Sequence, residues 1–371
     1  MAPGSVLIVG GGVAGLSTAW HLARRGGLGV TLLEREDGFG RHSSGKNAGI
    51  LRTAAADPVE VELAARGARF LQGPPPGFAP DGLVRRCGLV LAAGAGGAGR
   101  VASWIDRSPG NFPVEELSPA ALGHRAPHYA GEAARAWLFP EEGRLDITSL
   151  IEAYASGARD AGATLETGRE VRSLTRRGAR VTGVELSDGE RLSADALVLA
   201  TGGWAGRMGA AAGSRIVLRP TRRHLLVTVA DERADADWPV VWGVDDAFYV
   251  RPERGGLLFC ACDETDVEPD AATSDPRVAE HIRARAALLV PSFADLPAER
   301  FWFGLRTFSQ DGRFVVGWDP DVPGLFWVGG LGGAGMVTSP EVGRLAAATL
   351  AGDAVEPHLA QALSPRRFPR A

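Results

Sequence analysis

The chain has 371 residues, 45% hydrophobic and 23% charged, the make-up of a folded globular protein long enough for two lobes. With 40 basic and 44 acidic residues its formal net charge is −4, so it carries no broad basic field and nucleic acid is not an expected partner. No apolar run reaches membrane-spanning length, and the start lacks a basic leader, so a cytoplasmic protein with no membrane span is expected.

Residues 5–9 read as a short buried strand, and 13–25 as a helix with Leu16, Ala19, Leu22 and Ala23 at helical spacing. Val30 to Leu33 is a second strand, ending at Glu34, which completes a parallel crossover unit of about thirty residues. Residues 38–56 are aperiodic and rich in Gly, Ser, His and Asn, so they read as a loop lying against something. A helix follows over 59–71, and the Gly73-Pro-Pro-Pro-Gly77 break marks a lobe boundary. Residues 83–93 are a strand candidate, 94–99 a glycine-rich turn, and helix and loop continue to about 145. A helix over 147–161 is followed by a strand at 164–166, a hairpin of 181–187 with 190–199, and a buried strand at 196–200. Residues 216–229 and 247–262 alternate as strands of an antiparallel sheet with one open face. A helix is expected over 276–290, short strands over 313–328 and a last helix over 339–351, with the tail after 356 along the surface. The fold class is α/β: a Rossmann-like domain on a parallel sheet (1–78, 146–218 and 303–371) and a substrate domain on an antiparallel sheet (79–145 and 219–302).

Gly10-Gly11-Gly12-Val13-Ala14-Gly15 matches G-x-G-x-x-G between a strand and a helix. Gly10 permits the tight turn, Gly12 lets backbone approach a pyrophosphate, and Gly15 lets the helix pack on the strand. The helix start offers free N–H groups and a partial positive charge. Glu34, 19 residues after Gly15, is placed to accept from both ribose hydroxyls. This motif alone fits NAD or FAD. Ala200-Thr201-Gly202-Gly203-Trp204 and the run Gly329 to Gly335 supply two more glycine turns at strand ends, and a helix start aimed at a flavin ring favours its reduced, anionic form. NAD needs no such third segment, so FAD is the expected cofactor. Cys87, Cys260 and Cys262 form neither a disulfide framework nor a metal motif, and no metal is expected; Cys260 and Cys262 read as small strand residues on one side.

The chain resembles the D-amino-acid-oxidase-like superfamily of FAD enzymes, in particular its D-arginine dehydrogenase and glycine oxidase types. Beyond the first glycine motif, the matching stretches are Leu33-Glu-Arg-Glu36, Gly40-Arg-His-Ser-Ser-Gly45, Ala200-Thr-Gly-Gly-Trp204, Ala247-Phe-Tyr-Val-Arg-Pro252, Trp302-Phe-Gly-Leu-Arg-Thr-Phe308, Phe326-Trp-Val-Gly-Gly-Leu-Gly-Gly-Ala-Gly335 and Leu363-Ser-Pro-Arg-Arg367. The resemblance implies a cofactor set of Gly10, Gly12, Val13, Ala14, Gly15, Glu34, Arg35, His42, Ser43, Ser44, Lys46, Asn47, Ala48 and Gly49. It continues with Val171 at the adenine, Thr201, Gly202, Trp204, Gly330, Gly332, Gly333, Ala334, Gly335, Met336 and Thr338. No cysteine stands close after Arg306, so FAD is expected to be bound non-covalently.

The same resemblance assigns Arg306 to a bidentate pair with a substrate carboxylate and Tyr249 to an added hydrogen bond; an arginine fork suits a planar carboxylate. Arg223 resembles another pocket arginine, although the adjacent Arg222 leaves that assignment open. Gly333 is expected beside the substrate. Where the D-arginine type has a His, a Tyr and a Glu in the pocket, this chain has Ile50, Ala55 and Leu89. The missing acid argues against a cationic substrate side chain and for a small, apolar or cyclic one, while Arg52 leaves an acidic one open. His42 is expected near the cofactor; His124, His128 and His224 read as surface or packed residues. The expected reaction is hydride transfer from Cα of a small amino or imino acid to flavin N5, giving an imine and then a 2-oxo acid. The electrons would pass to a quinone, a carrier or O2. Two alternatives stand beside it: a 2-hydroxy-acid dehydrogenase or oxidase on the same fold, and a flavin-binding protein without catalysis.

Overall fold

The computed structural model describes residues 3–107 and 112–369. The first strand, Ser5–Val9, sits inside a six-stranded sheet because its apolar side chains alternate between two packed faces. Val6 and Ile8 point to a helical layer; Leu7 and Val9 point the other way. Strand order across the sheet is Val315–Trp318, Leu325–Gly329, Ala196–Leu199, Ser5–Val9, Gly29–Leu33, Thr164–Glu166. All neighbours are parallel except the Val315–Trp318 edge. Helices Val13–Arg25, Pro58–Gln72, Ile147–Asp160 and Gly335–Ala351 contribute to the core on one face. A three-stranded sheet, Val171–Arg177, Arg180–Leu186 and Arg191–Ser193, packs on the other through Val181, Val184 and Leu186.

The second sheet has nine strands and is mostly antiparallel. Its longest pair is Leu218–Thr228 with Ala298–Ser309, in register from Leu218↔Ser309 to Thr228↔Ala298 with one bulge. Gly256–Cys260, Phe248–Glu253 and Val240–Gly243 follow, and Val240–Gly243 lies parallel to Leu89–Ala93. A small sheet of Ile50–Leu51, Gly143–Leu145 and Val84–Arg85 stands apart from both. Ala298–Ser309 runs unbroken past residue 302, where the sequence reading ends its substrate domain.

The structure corrects four expectations. Residues 94–99 are not a turn: a helix, Ala95–Asp106, runs through Gly96, Gly97 and Gly99. Asp245, distant in sequence, accepts from the Gly94 N–H at 2.7 Å and supplies the start that the local residues lack. The stretch read as helix and loop up to 145 holds a helix, Pro119–Arg125, but also strands Glu115–Leu117, Arg135–Phe139 and Gly143–Leu145. Of the stretch 190–199 only Arg191–Ser193 pairs with Arg180–Leu186, which pairs on its other side with Val171–Arg177, since Ala196–Leu199 leaves for the parallel sheet. The tail is anchored rather than laid on the surface: Pro357–Leu363 buries Leu359 and Leu363, and Phe368 is buried beyond it.

Candidate functional site

Three strand ends meet at one groove. Ser5–Val9, Ala196–Leu199 and Leu325–Gly329 are neighbours in the parallel sheet, and each runs at its carboxyl end into a glycine turn. This is the usual ligand edge of a doubly wound sheet. The groove encloses about 750 Å³ and is lined by Gly10, Gly12, Thr201, Gly202, Gly330 and Gly332 together with Glu34, Ser43, Ser44 and Val171, a size suited to a sizeable cofactor. Gly10 has φ 110°, and a Cβ there would stand 2.5 Å from the Ala200 carbonyl oxygen. A Cβ on Gly15 would stand 2.0 Å from the Gly10 carbonyl oxygen, so the helix can meet the turn only without a side chain.

The donor set fits FAD. The helix Val13–Arg25 has no side-chain cap from Gly12, and its Val13 N–H points to Ser44 Oγ at 3.0 Å, on the groove wall. Free N–H groups at a helix start and adjacent hydroxyls are a diphosphate seat. Glu34, 9% exposed, accepts from Gly11 N–H at 2.6 Å and from Glu36 N–H at 3.0 Å, which fixes its carboxylate toward the groove with acceptor capacity left for ribose hydroxyls. Arg35 stacks on Trp204 at 4.0 Å, and Trp204 Nε1 donates to Asp270 at 2.6 Å. His42 Nε2 lies 2.7 Å from Glu36 Oε1.

Where the groove meets the antiparallel sheet, Leu305, Arg306 and Thr307 enter its wall. Arg306 is 8% exposed and makes no hydrogen bond or ion pair among the described residues; its Nε is buried and unpartnered. The Gly332 N–H donates to the Thr307 carbonyl at 3.0 Å, and a Cβ on Gly333 would sit 3.5 Å from Arg306 Nε. The third glycine turn is therefore folded against this arginine. Tyr249 is fully buried, and its Oη has the Cys260 thiol beside it but no hydrogen-bond partner among the described residues. Burial, followed by the neighbouring Cys260, holds the phenol well above its ordinary pKa, so it stays a neutral donor; the Arg306 charge acts on it in the opposite sense.

Sequence-assigned residues divide by place. Arg35, Asn47, Gly335 and Met336 also line the groove. Ala48 packs beside Tyr249 instead. Lys46 faces an adjoining pit of about 270 Å³ with Phe303 and Asp270. Its backbone does something else: its carbonyl accepts from Trp302 Nε1 at 3.4 Å, and a Cβ on Gly304 would stand 2.9 Å from that oxygen. Gly49, with φ 59°, is a turn residue whose Cβ would meet the Leu145 carbonyl, and Thr338 hydrogen-bonds back to Ala334 inside its helix.

Of the substrate-side residues, Ile50 packs on the Tyr249 cluster, and Leu89 packs with Ala54 in the next one; Ala55 is buried. Between the two adjacent arginines the register decides. Arg223 shares the Arg306 face and is held by Glu264 and the Asp263 carbonyl, whereas Arg222 turns to Asp275. His224 accepts from Asp275 N–H through Nε2 and so donates from Nδ1 to Asp263 at 2.7 Å. His128 is packed on Trp238. The sequence reading missed the arginines of the groove mouth, Arg41, Arg169, Arg172, Arg176 and Arg207. For Arg172 and Arg176 the signal was a strand, Val171–Arg177, that carries no apolar alternation.

A family model described as FAD dependent oxidoreductase (DAO) matches residues 5–349. The chain belongs to that family. It is 28% identical to a glycine oxidase of Geobacillus kaustophilus over 92% of this chain and 91% of the relative. It is 29% identical to a glycine oxidase of Pseudomonas aeruginosa, covering 94% of each. It spans only 42% and 54% of two longer relatives, a 4-methylaminobutanoate oxidase (formaldehyde-forming) of Paenarthrobacter nicotinovorans and a bifunctional ThiO/ThiG protein of Synechocystis. Among solved structures, glycine oxidase from Geobacillus kaustophilus superposes with a TM-score of 0.84 at 26% identity, covering 98% of this chain and 99% of that one. Iminodiacetate oxidase from Chelativorans sp. BNC1 superposes at 0.82 with 25% identity, covering 97% and 99%. Among the described residues no helix is long and apolar enough to cross a membrane.

Proposed function

We propose that this protein oxidises a small amino or imino acid by removing hydride from its Cα. The carrying observation is the buried Arg306 on the groove wall, a cation without a side-chain partner among the described residues, whose charge acts on the buried Tyr249 phenol. Burying an unpaired guanidinium costs several kcal/mol. An acceptor that uses its planar fork and the phenol together offsets this, and a substrate carboxylate has that shape. The relatives support the reading, since glycine oxidases and an iminodiacetate oxidase are named for carboxylate-bearing amines. Glu34, Ser43, Ser44 and the three glycine turns would hold FAD, which would supply the two-electron acceptor when bound.

In this reading Arg306 and Tyr249 clamp the carboxylate and fix which face of Cα looks toward the groove. Loss of hydride and of the amine proton leaves an imine, and water converts it to a 2-oxo acid and an amine or ammonia. The chain's contribution is orientation and exclusion of water by the surrounding Ala48, Leu225, Val227 and Leu258. The small residue at 55 and the apolar one at 89 leave no acid for a cationic side chain. A quinone, a carrier or O2 then takes the electrons.

The test is anaerobic flavin bleaching across D-, L- and N-methyl amino acids and 2-hydroxy acids, with wild type and Arg306→Ala. An amino or imino acid is expected to bleach the wild type. The variant should keep its flavin spectrum and lose about three powers of ten in kcat/KM, the scale of about 3–5 kcal/mol for a buried charge pair broken on one side. An unchanged kcat/KM removes Arg306 from the reaction, and bleaching by hydroxy acids alone replaces the amine.

A further inference from the structure

A second guanidinium stands on the substrate side of the sheet, away from Arg306. Arg52 follows the short strand Ile50–Leu51, which leaves the cofactor loop. Its guanidinium stacks on the Trp242 ring at 4.7 Å, and Trp242 lies 5.0 Å from Tyr249. Trp242 pairs in register with Tyr249, so the two rings share one sheet face. The indole thus neighbours both Arg52 and Tyr249.

Arg52 is underused where it stands. It has five N–H donors, and none makes a hydrogen bond among the described residues. Its one ion pair, to Glu60, is long at 3.7 Å, and its side chain is 22% exposed. The other nearby acid, Glu142, accepts through Oε1 from Thr53 N–H at 2.9 Å and from Thr53 Oγ1 at 2.5 Å, while its buried Oε2 has no hydrogen-bond partner among the described residues, Arg52 included. Burial opposes ionisation of both acids. They hold Arg52 in place without filling its fork.

We propose that Arg52 is a specificity-determining residue that binds a second carboxylate of the substrate, so that the preferred amino or imino acid is a dicarboxylic one. This rests on the Arg306–Tyr249 clamp holding the first carboxylate. With Trp242 beside both Arg52 and Tyr249, the substrate would pass the indole with one carboxylate at each arginine.

The test uses the flavin-loaded protein and inert acids, read by the shift in flavin absorbance on titration. Thiodiacetate is compared with (methylthio)acetate, and glutarate with butyrate, so that each dicarboxylate meets its one-carboxylate counterpart. The wild type should bind at least one dicarboxylate roughly tenfold or more tighter than its counterpart. Arg52→Met should bring that ratio to within about twofold, and Arg52→Lys, which keeps the charge but not the fork, should retain part of it. Equal affinities in the wild type, or a ratio untouched by Arg52→Met, overturn the proposal. Arg306→Ala separates the two readings: it should weaken both members of each pair alike. If it weakens neither, the clamp itself is wrong and the second carboxylate falls with it.

Discussion

The groove and the substrate face hold their polar groups in opposite ways. At the first glycine turn of the groove, Glu34 pairs with two backbone N–H groups and Ser44 with Val13 within the protein itself. On the antiparallel sheet, Arg306 Nε and Tyr249 Oη are buried without a hydrogen-bond partner among the described residues. The first region is a shaped backbone that any correct fold delivers. The second holds an electrostatic deficit that, on the proposed reading, a substrate carboxylate relieves. Stability should therefore depend on the groove, and selectivity on the sheet.

Three substitutions break or sharpen that contrast. The largest effect is expected at Gly15→Ala. Its Cβ would overlap the Gly10 carbonyl, and overpacking of this kind costs about 1–3 kcal/mol. Purified protein should lack flavin absorbance and melt several degrees lower; a yellow, fully stable variant would show that the turn tolerates strain. Tyr249→Phe should do the reverse, keeping flavin and Tm while raising KM about tenfold to a hundredfold, the range for one hydrogen bond to a charged group. A change confined to Tm would place Tyr249 in the core alone.

The third effect is set by pH and leaves flavin and KM untouched. Burial raises the Glu142 pKa from 4.5 to about 7, against the hydrogen bonds from Thr53 and the Arg52 charge. Because the folded value lies above the unfolded one, the protonated form is favoured by folding. Its contribution is fully present below about pH 4.5 and fades as pH rises through about 7, where ionisation costs about 3 kcal/mol by the shift. Denaturant titrations between pH 5 and 8 should show Glu142→Gln flattening this slope; identical slopes in both proteins would leave Glu142 out of the pH response.

The legible part of the fold was local. The strand–glycine–helix unit, its acid at Glu34 and the two later glycine turns each declare themselves within a few residues. That all three turns share one edge follows only from strand order, yet their common ending in glycine already pointed there. The antiparallel half was harder. Val240–Gly243 pairs with Leu89–Ala93 across a long stretch of chain, and four of the five residues of Arg135–Phe139 are buried, so no alternation marks them. Helix Ala95–Asp106 was missed because three glycines outweigh its pattern until Asp245 arrives. The side of the sheet taken by Arg223 rather than Arg222 depends on register with Gly304, which composition does not encode.

The meeting of Lys46 with Gly304 has one more consequence. The loop that reaches the nucleotide seat is clasped to the strand bearing Arg306, with room for hydrogen alone between them. Loosening one element loosens the other, so proteolytic nicking in the loop should speed hydrogen exchange along Ala298–Ser309, and cofactor occupancy should slow both.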